Sequence, residues 1–270
     1  MPSWDVDYLN DLKRRFAAIH DGLQDRIEGV VRGRVAPAVD AIPIGSGRAV
    51  RAAVLFFDIR HFTSMTGSAE PNDLKRTLVM LDCVIPMVMH VIHDHDGYVE
   101  KNTGDGVMGI FGIDRTDAET ANAALDAATT IFFVLQHVIN PALAQAQFAA
   151  VQARIGIDLG NVLLARIGVP SGTARQDRNF MTAVGPAANL ASKLQGMAGT
   201  DEIWVGSNVA ASAAPWRQQY FLDVTPQDWP WTFNRPWHQH LYRIWEYSGR
   251  KRDLRDNGAL RRLLGLQPPT

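Results

Sequence analysis

Cysteine, net charge and long hydrophobic runs are all scarce in this sequence of 270 residues. The single cysteine, Cys83, excludes an intramolecular disulfide and fits a reducing compartment. A formal net charge of −1 argues against a general binder of nucleic acid. The most apolar runs, such as residues 129–135, are far shorter than the roughly 20 residues of a membrane span, and the first residues lack the basic start and apolar core of a signal peptide. We therefore expect a cytoplasmic protein that contacts neither membrane nor nucleic acid.

The composition is that of an ordinary soluble globular protein, with 46% hydrophobic and 20% charged residues. The pattern predicts three parts: an N-terminal helix and linker (1–47), a main domain (48–247) and a basic C-terminal tail (248–270). Residues 3–31 have helical periodicity. This helix either packs on its own domain or contacts a second subunit.

Helices and strands interleave along the main domain, which predicts an α/β sandwich with helices over a sheet. The predicted helices are 73–93, 116–139, 189–194 and 208–214, and the predicted strands are 52–57, 98–101, 107–111, 151–157, 161–167, 180–184, 202–205 and 241–247. Residues 158–160 are predicted as a turn and 141–147 as a helix end and loop. Residues 215–240, rich in tryptophan and proline, have no clear pattern.

Two aspartates stand where a site is expected. Asp58 follows the apolar strand 52–57, and Asp105 lies in the turn Gly104-Asp105-Gly106 of a predicted hairpin. If the hairpin pairs beside the strand, the two carboxylates approach each other. A divalent cation relieves their repulsion, and carboxylates together with substrate phosphates suit Mg²⁺ or Mn²⁺. Two such ions can support phosphoryl transfer.

The surroundings of both aspartates resemble the catalytic domain of the class III adenylate/guanylate cyclases over about residues 48–247. Four blocks carry the resemblance in a fixed order: Phe-Phe-Asp58-Ile59-Arg-His-Phe62-Thr63, Lys101-Asn-Thr-Gly104-Asp105-Gly106, Ala-Arg154-Ile-Gly156-Ile-Asp-Leu-Gly160 and Val184-Gly185-Pro-Ala-Ala-Asn189-Leu-Ala191-Ser192-Lys193. The resemblance implies an antiparallel-rich central sheet flanked by helices, and a homodimer with active sites between the subunits. It implies a lyase that converts a nucleoside triphosphate to a 3′,5′-cyclic nucleotide and pyrophosphate.

The resemblance also assigns roles by position. Asp58, Asp105 and the backbone carbonyl of Ile59 would hold two divalent metal ions, Mn²⁺ or Mg²⁺. The backbone amides of Phe62 and Thr63 would receive the triphosphate. Asn189 would orient the ribose, and Lys193 occupies the place of the family's transition-state arginine. Lys101 and Thr182 occupy the two base-selecting positions.

Three departures from the family pattern bear on these roles. Lys193 keeps a positive charge but lacks the planar fork of arginine. The family's late triphosphate-binding lysine has no match, and Arg175, Arg178 or Arg235 are candidate substitutes. Phe57 stands where many members have a small residue, and it would either repack the strand or crowd the site.

The sequence leaves open which base the nucleoside triphosphate substrate carries. Lys101 and Thr182 favour ATP, and the absence of a glutamate argues against GTP. The layout, with no sensor or membrane domain in the sequence, resembles the stand-alone pyrimidine cyclases of bacterial anti-phage defence. Taken with Phe57, it favours UTP or CTP, with cyclic UMP or cyclic CMP as a second messenger for a cyclic-nucleotide-binding effector.

Two other classes stay open beside an active pyrimidine or adenylate cyclase. Lys193 and the missing lysine are compatible with a catalytically silent nucleotide-binding module that regulates a partner. A different metal-dependent phosphotransferase or nuclease of the α/β class would yield a linear product.

Overall fold

The molecule is built on an eight-stranded sheet. The computed structural model describes residues 5–20, 47–67, 70–102, 104–112, 115–168, 179–235 and 238–249. All strand pairs in this sheet but one are antiparallel. The predicted antiparallel-rich sheet with flanking helices is confirmed.

The elements follow in chain order. The helices are α1 (Val6–His20), α2 (Phe62–Met65), α3 (Pro71–Asp94), α4 (Asp117–Val134), α5 (Asn140–Gln145), α6 (Pro186–Met197) and α7 (Ser207–Ser212), with a π-helix at Leu135–Ile139 and a 3₁₀ helix at Pro215–Tyr220. The strands are β1 (Gly47–Ile59), β2 (Tyr98–Asn102), β3 (Gly106–Phe111), β4 (Ala153–Gly168), β5 (Asn179–Val184), β6 (Ile203–Gly206), β7 (Phe221–Asp223), β8 (Thr232–Arg235), β9 (His238–Leu241) and β10 (Ile244–Tyr247). The strand order of the large sheet is β2-β3-β1-β4-β6-β10-β7, with β5 added as a partner of β4, and its parallel pair is β4 with β6. Strands β8 and β9 form a separate two-stranded ribbon.

Strand β1 is central because both of its edges are paired, with β3 on one side and β4 along its whole length on the other. Its side chains alternate between two cores, as the pleat requires. Leu55 and Phe57 enter the core beneath α3 and α4, whereas Val54 and Phe56 face the smaller core beneath α6. A continuous apolar run is therefore the signature of a strand buried on both faces.

Helix α6 lies directly on β4 because Gly156 leaves room for it. A Cβ at this position would come within 2.2 Å of the Ala191 carbonyl oxygen and of the Gln195 amide nitrogen. Both are backbone atoms that cannot move aside without shifting the helix. The absence of a side chain at Gly156 thus sets the height of α6 above the sheet.

Two helical stretches, Asn72–Asp94 and Asp117–Gln145, are long and apolar enough, at a mean hydropathy of 1.4, to cross a membrane. They are longer than the short apolar runs seen in the sequence. Their apolar side chains, such as those of Val84, Ile92 and Leu125, pack in the core against the sheet. This packing accounts for the hydropathy of both helices.

Helix α1 packs on its own domain, as the first of the two alternatives predicted; residues 3–4 and 21–31 of the predicted helix lie outside the described residues. Leu9, Leu12 and Phe16 are buried, and Arg15 Nη1 donates a hydrogen bond of 2.6 Å to Asp94 Oδ1. The division at residues 47 and 247 stays a prediction, because most of the linker and the C-terminal tail lie outside the described residues.

One local prediction is wrong. Residues 158–160 are not a turn: β4 continues through them as one strand of 16 residues, in which Asp158 is buried and accepts a hydrogen bond from the Tyr242 hydroxyl. Residues 141–147 contain the predicted helix end and loop, since α5 ends at Gln145 and a turn follows it. The unassigned stretch 215–240 contains the 3₁₀ helix, β7, β8 and part of β9.

Candidate active site

The site lies at the end of β1, where the hairpin of β2 and β3 joins the sheet. Asp58 is opposite Gly106 in the β1–β3 pair, and the Ile59 amide donates a 3.2 Å hydrogen bond to the Asp105 carbonyl oxygen. The structure therefore brings Asp58 and Asp105 into one place, as the sequence predicts. Gly104, with a φ of 91°, allows the turn that carries Asp105.

The Asp58 carboxylate is held by two side chains from neighbouring elements. Its Oδ2 accepts hydrogen bonds from Arg154 Nε at 2.9 Å, Arg154 Nη2 at 2.8 Å and Gln195 Nε2 at 2.9 Å. Arg154 is the residue opposite Asp58 in β4, and Gln195 is on α6. Arg154 Nη1 also donates to the Gly196 carbonyl oxygen, which links the arginine to the same helix.

Asp105 lies where burial makes its ionised carboxylate less favourable. Burial raises the pKa of its carboxyl above the ordinary value, a backbone hydrogen bond lowers it, and the Asp58 charge raises it again. The Arg154 guanidinium offsets part of this effect. A bound cation would favour the ionised form of Asp105, since its positive charge would attract both carboxylates.

Asp58 and Asp105 fit a magnesium or manganese site that is completed by substrate. Both offer carboxylate oxygens, the ligands that these hard cations prefer. Within the described residues, no group of three or more His, Cys, Asp or Glu side chains could hold a metal alone. Mg²⁺ is commonly held by one or two carboxylates plus substrate phosphates, and the pair suits that arrangement.

The loop after β1 turns sharply into α2. His61 has a φ of 61°, and its carbonyl oxygen accepts from the amides of Ser64 and Met65. Phe62 and Thr63 begin α2, so their N–H groups precede the hydrogen bonds of the helix. Thr63 is exposed and Phe62 half-buried. Their predicted role as triphosphate-binding amides stays a prediction.

Asn189 and Lys193 lie one helical turn apart on the exposed side of α6. Neither contacts Asp58; the same helix reaches Asp58 through Gln195 instead. The Lys193 ammonium lies over the rings of Trp229 and Trp231. Within this chain the structure does not bring the two predicted catalytic residues to Asp58 and Asp105.

The predicted base-selecting positions behave differently. Lys101 is opposite Met108 in the β2–β3 pair, just after a bulge, and Thr182 is buried in β5. Strands β2 and β5 contact each other, which places the two positions on neighbouring elements.

The prediction for Phe57 requires a correction. It is 1% exposed in the core under α3 and α4, on the opposite face of β1 from Asp58, so its side chain does not crowd the site.

Two further site residues were missed as such in the sequence, namely Arg154 and Gln195. A register argument could have found Arg154, since the pairing of β1 with β4 puts it opposite Asp58. Gln195 has no sequence signal, because its contact depends on the seat of α6. Arg175 and Arg178 lie outside the described residues, as does the Arg235 side chain. Among the described residues, Arg154 is a cation that the structure places beside Asp58 and Asp105.

Comparisons with known proteins agree with this geometry. Residues 46–226 match the family model described as the adenylate and guanylate cyclase catalytic domain. An adenylate cyclase of Anabaena cylindrica is 29% identical over 192 residues, which cover 70% of this chain and 35% of that protein. A cytidylate cyclase of Escherichia coli is 28% identical over 163 residues, 57% of this chain and 33% of that protein.

Solved structures show the same fold. The adenylyl cyclase CyaB from P. aeruginosa superposes with a TM-score of 0.58 at 20% identity, over 77% of this chain and 99% of that chain. The chain spans about a third of the length of the two curated relatives above. Since the matched family model covers two thirds of the chain, and the aspartate pair lies within it, the chain belongs to the adenylate and guanylate cyclase catalytic-domain family.

Proposed function

We propose that this chain is a metal-dependent nucleotidyl cyclase. The observation that carries the proposal is the pairing of Asp58 with Asp105 at the end of a buried strand, with Arg154 beside them. In the proposed reaction the ribose 3′-oxygen attacks the α-phosphorus and loses its proton, while the bond from that phosphorus to the pyrophosphate oxygen breaks. Pyrophosphate and a 3′,5′-cyclic nucleotide leave.

The residues of the chain supply binding and orientation. When bound at Asp58 and Asp105, Mg²⁺ or Mn²⁺ would stabilise the negative charge on the attacking oxygen and on the phosphates. A cation held at Asp58 would compete with Arg154 for this carboxylate, and the guanidinium would then be available for phosphate oxygens. Arg154 would then supply the positive charge for phosphate binding that the family takes from its late lysine, which has no match in this sequence.

A homodimer is part of the proposal. Asn189 and Lys193 face away from Asp58 in their own chain, so a second copy is needed to bring them to the substrate. The β4–β5 pair offers an exposed apolar surface for that contact, because Leu163 and Val184 are opposite each other and 43% and 47% exposed. Site residues from both subunits would then share one substrate.

Adenine is the base that we place first, which makes ATP the expected substrate. Lys101 and Thr182 favour adenine, and the core position of Phe57 removes the argument for a smaller base. The layout argument for a pyrimidine also weakens, since the relatives extend well beyond the matched region. UTP or CTP is the second candidate, favoured by the similarity to the cytidylate cyclase. The role in anti-phage defence, the effector and the cytoplasmic location stay predictions.

The test is a competition assay. The purified protein is incubated with Mn²⁺ and an equimolar mixture of ATP, GTP, CTP and UTP, and the products are identified by mass spectrometry. We expect cyclic AMP and pyrophosphate. A cyclic pyrimidine in excess would establish the second candidate. Folded, dimeric protein that binds nucleotide without releasing pyrophosphate would show the silent module instead, and a linear product would show a different phosphotransferase.

A further inference from the structure

The Lys193 side chain lies against a pair of tryptophan rings. Its Nζ is 4.9 Å from the ring centroid of Trp229 and 5.8 Å from that of Trp231. The two rings are stacked, with centroids 6.4 Å apart and an interplanar angle of 22°. Both distances are in the range in which an ammonium is attracted by an aromatic face.

The tryptophan pair is fixed to the frame that carries α6. Trp229 is 6% exposed, and its Nε1 donates a 2.7 Å hydrogen bond to the Tyr242 carbonyl oxygen. The Trp231 carbonyl oxygen accepts from the Tyr242 amide at 2.8 Å. Leu190 and Leu194 of α6 pack in the same cluster. The rings and the helix therefore form one packed unit.

A lysine needs such support more than an arginine does. Its ammonium is a compact charge on a flexible four-carbon stem, without the planar fork that fixes the direction of a guanidinium. Contact with the two rings restricts the stem. Among the residues that the structure describes, no carboxylate forms an ion pair with Lys193, and its charged contacts there are with the two rings.

We propose that Trp229 and Trp231 are positioning residues that hold the Lys193 ammonium in place for the substrate phosphates. This inference rests on the proposed cyclase function. The rings attract the cation through their faces and leave its N–H groups free to donate to phosphate oxygens. Asn189, one turn earlier on the same side of α6, is then held at a constant distance from the ammonium.

The experiment compares three variants of the full chain. Trp231→Leu keeps an apolar side chain and removes the aromatic face, whereas Trp231→Phe keeps a face. Trp216→Leu is the matched control, because Trp216 is exposed and its ring lies over Arg217 instead. We expect kcat to fall about tenfold in Trp231→Leu, equivalent to about 1.4 kcal/mol, with KM changed less than about twofold. Trp231→Phe should recover most of the rate, and Trp216→Leu should match the wild type.

A double variant separates positioning from a structural role. If Trp231 acts through Lys193, adding Trp231→Leu to Lys193→Met causes no further loss of kcat. Lys193→Met should also change the tryptophan fluorescence, because the ammonium leaves the indole faces. An additive loss in the double variant, or equal rates for Trp231→Leu and Trp216→Leu, would overturn the inference while the cyclase stands. A wild-type protein that releases no pyrophosphate overturns the cyclase proposal, and the inference with it.

Discussion

Asp58 and Asp158 stand on neighbouring strands of the same sheet, yet their surroundings differ in every respect that matters for chemistry. Asp58 is at the end of β1, its side chain is 22% exposed, and it receives three N–H donors from Arg154 and Gln195. Asp158 is in the middle of β4, is 3% exposed, and accepts from the Tyr242 hydroxyl. Burial raises the pKa of Asp158 to about 7. Position along the strand thus separates a carboxylate that can bind a cation from one that is part of the core.

The largest expected effect is on the reaction. Asp58→Asn should lower kcat/KM at least about 100-fold, because metal stabilisation of the developing charge is worth several kcal/mol and depends on this ligand. Asp105→Asn should do the same. The measurement is cyclic nucleotide formation with Mn²⁺.

The matched control is Asp158→Asn, which should keep activity within about twofold in the same assay. Equal losses in Asp58→Asn and Asp158→Asn would remove the distinction between the two aspartates.

The next largest effect is on stability, and it comes from Asp158 and not from Asp58. The Asp158 carboxyl titrates near 7 when folded and near 4 when unfolded, so the folded state keeps a proton that the unfolded state has lost. Stability from this group is fully present below about pH 4 and is lost as pH rises through 7. Between pH 5 and 7 the loss is roughly 2–3 kcal/mol, or about 5 °C in Tm. Asp158→Asn removes this contribution.

Thermal unfolding at several pH values checks this prediction. The difference in Tm between the wild type and Asp158→Asn isolates the one carboxyl, because other groups titrate equally in both proteins. A difference that does not change from pH 5 to 7 would contradict the buried, protonated Asp158.

A smaller effect is expected from Arg154. Arg154→Met should raise KM for the triphosphate about tenfold, because a charge-assisted contact is lost. The same change should tighten Mn²⁺ binding, since the competitor for Asp58 is gone. Mn²⁺ titration by electron paramagnetic resonance measures the second effect separately. Arg154→Lys should give intermediate values, and weaker Mn²⁺ binding in Arg154→Met would speak against the competition.

The smallest effect concerns a third aspartate beside β1. Asp117 accepts two hydrogen bonds of 2.6 Å from Arg51, but both side chains are well exposed. Asp117→Ala should lower the free energy of unfolding in urea by less than about 1 kcal/mol and leave activity unchanged. A loss of several kcal/mol would show that exposure is a poor guide to the contribution of these carboxylates.

The sequence predicted the aspartate pair because two independent signals converged on it. An apolar run ending in Asp58 indicates a buried strand, and a glycine-flanked Asp105 indicates a hairpin turn; the pairing of the two elements follows from chain order. Helices α3 and α4 were also predictable, since long periodic segments carry a strong signal.

The sequence could not show which face of β1 receives Phe57, because a strand buried on both sides is apolar at every position. Asp158 misled for a related reason. Aspartate before a glycine-containing stretch is typical of a turn, and only the distant Tyr242 makes a buried aspartate tolerable in a strand. The contact of Gln195 with Asp58 likewise depends on packing between elements far apart in the chain.

Gly156 gives the fold a narrow tolerance beneath α6. One hydrogen atom in place of a methyl group lets α6 rest on β4, and that helix carries Gln195 toward Asp58. In the proposed homodimer the same helix would carry Asn189 and Lys193 toward the second subunit. In a dimer, α6 would then connect two catalytic centres as one rigid element. Gly156→Ala would move this helix away from the sheet, and the residues that it carries to both centres would lose their alignment together.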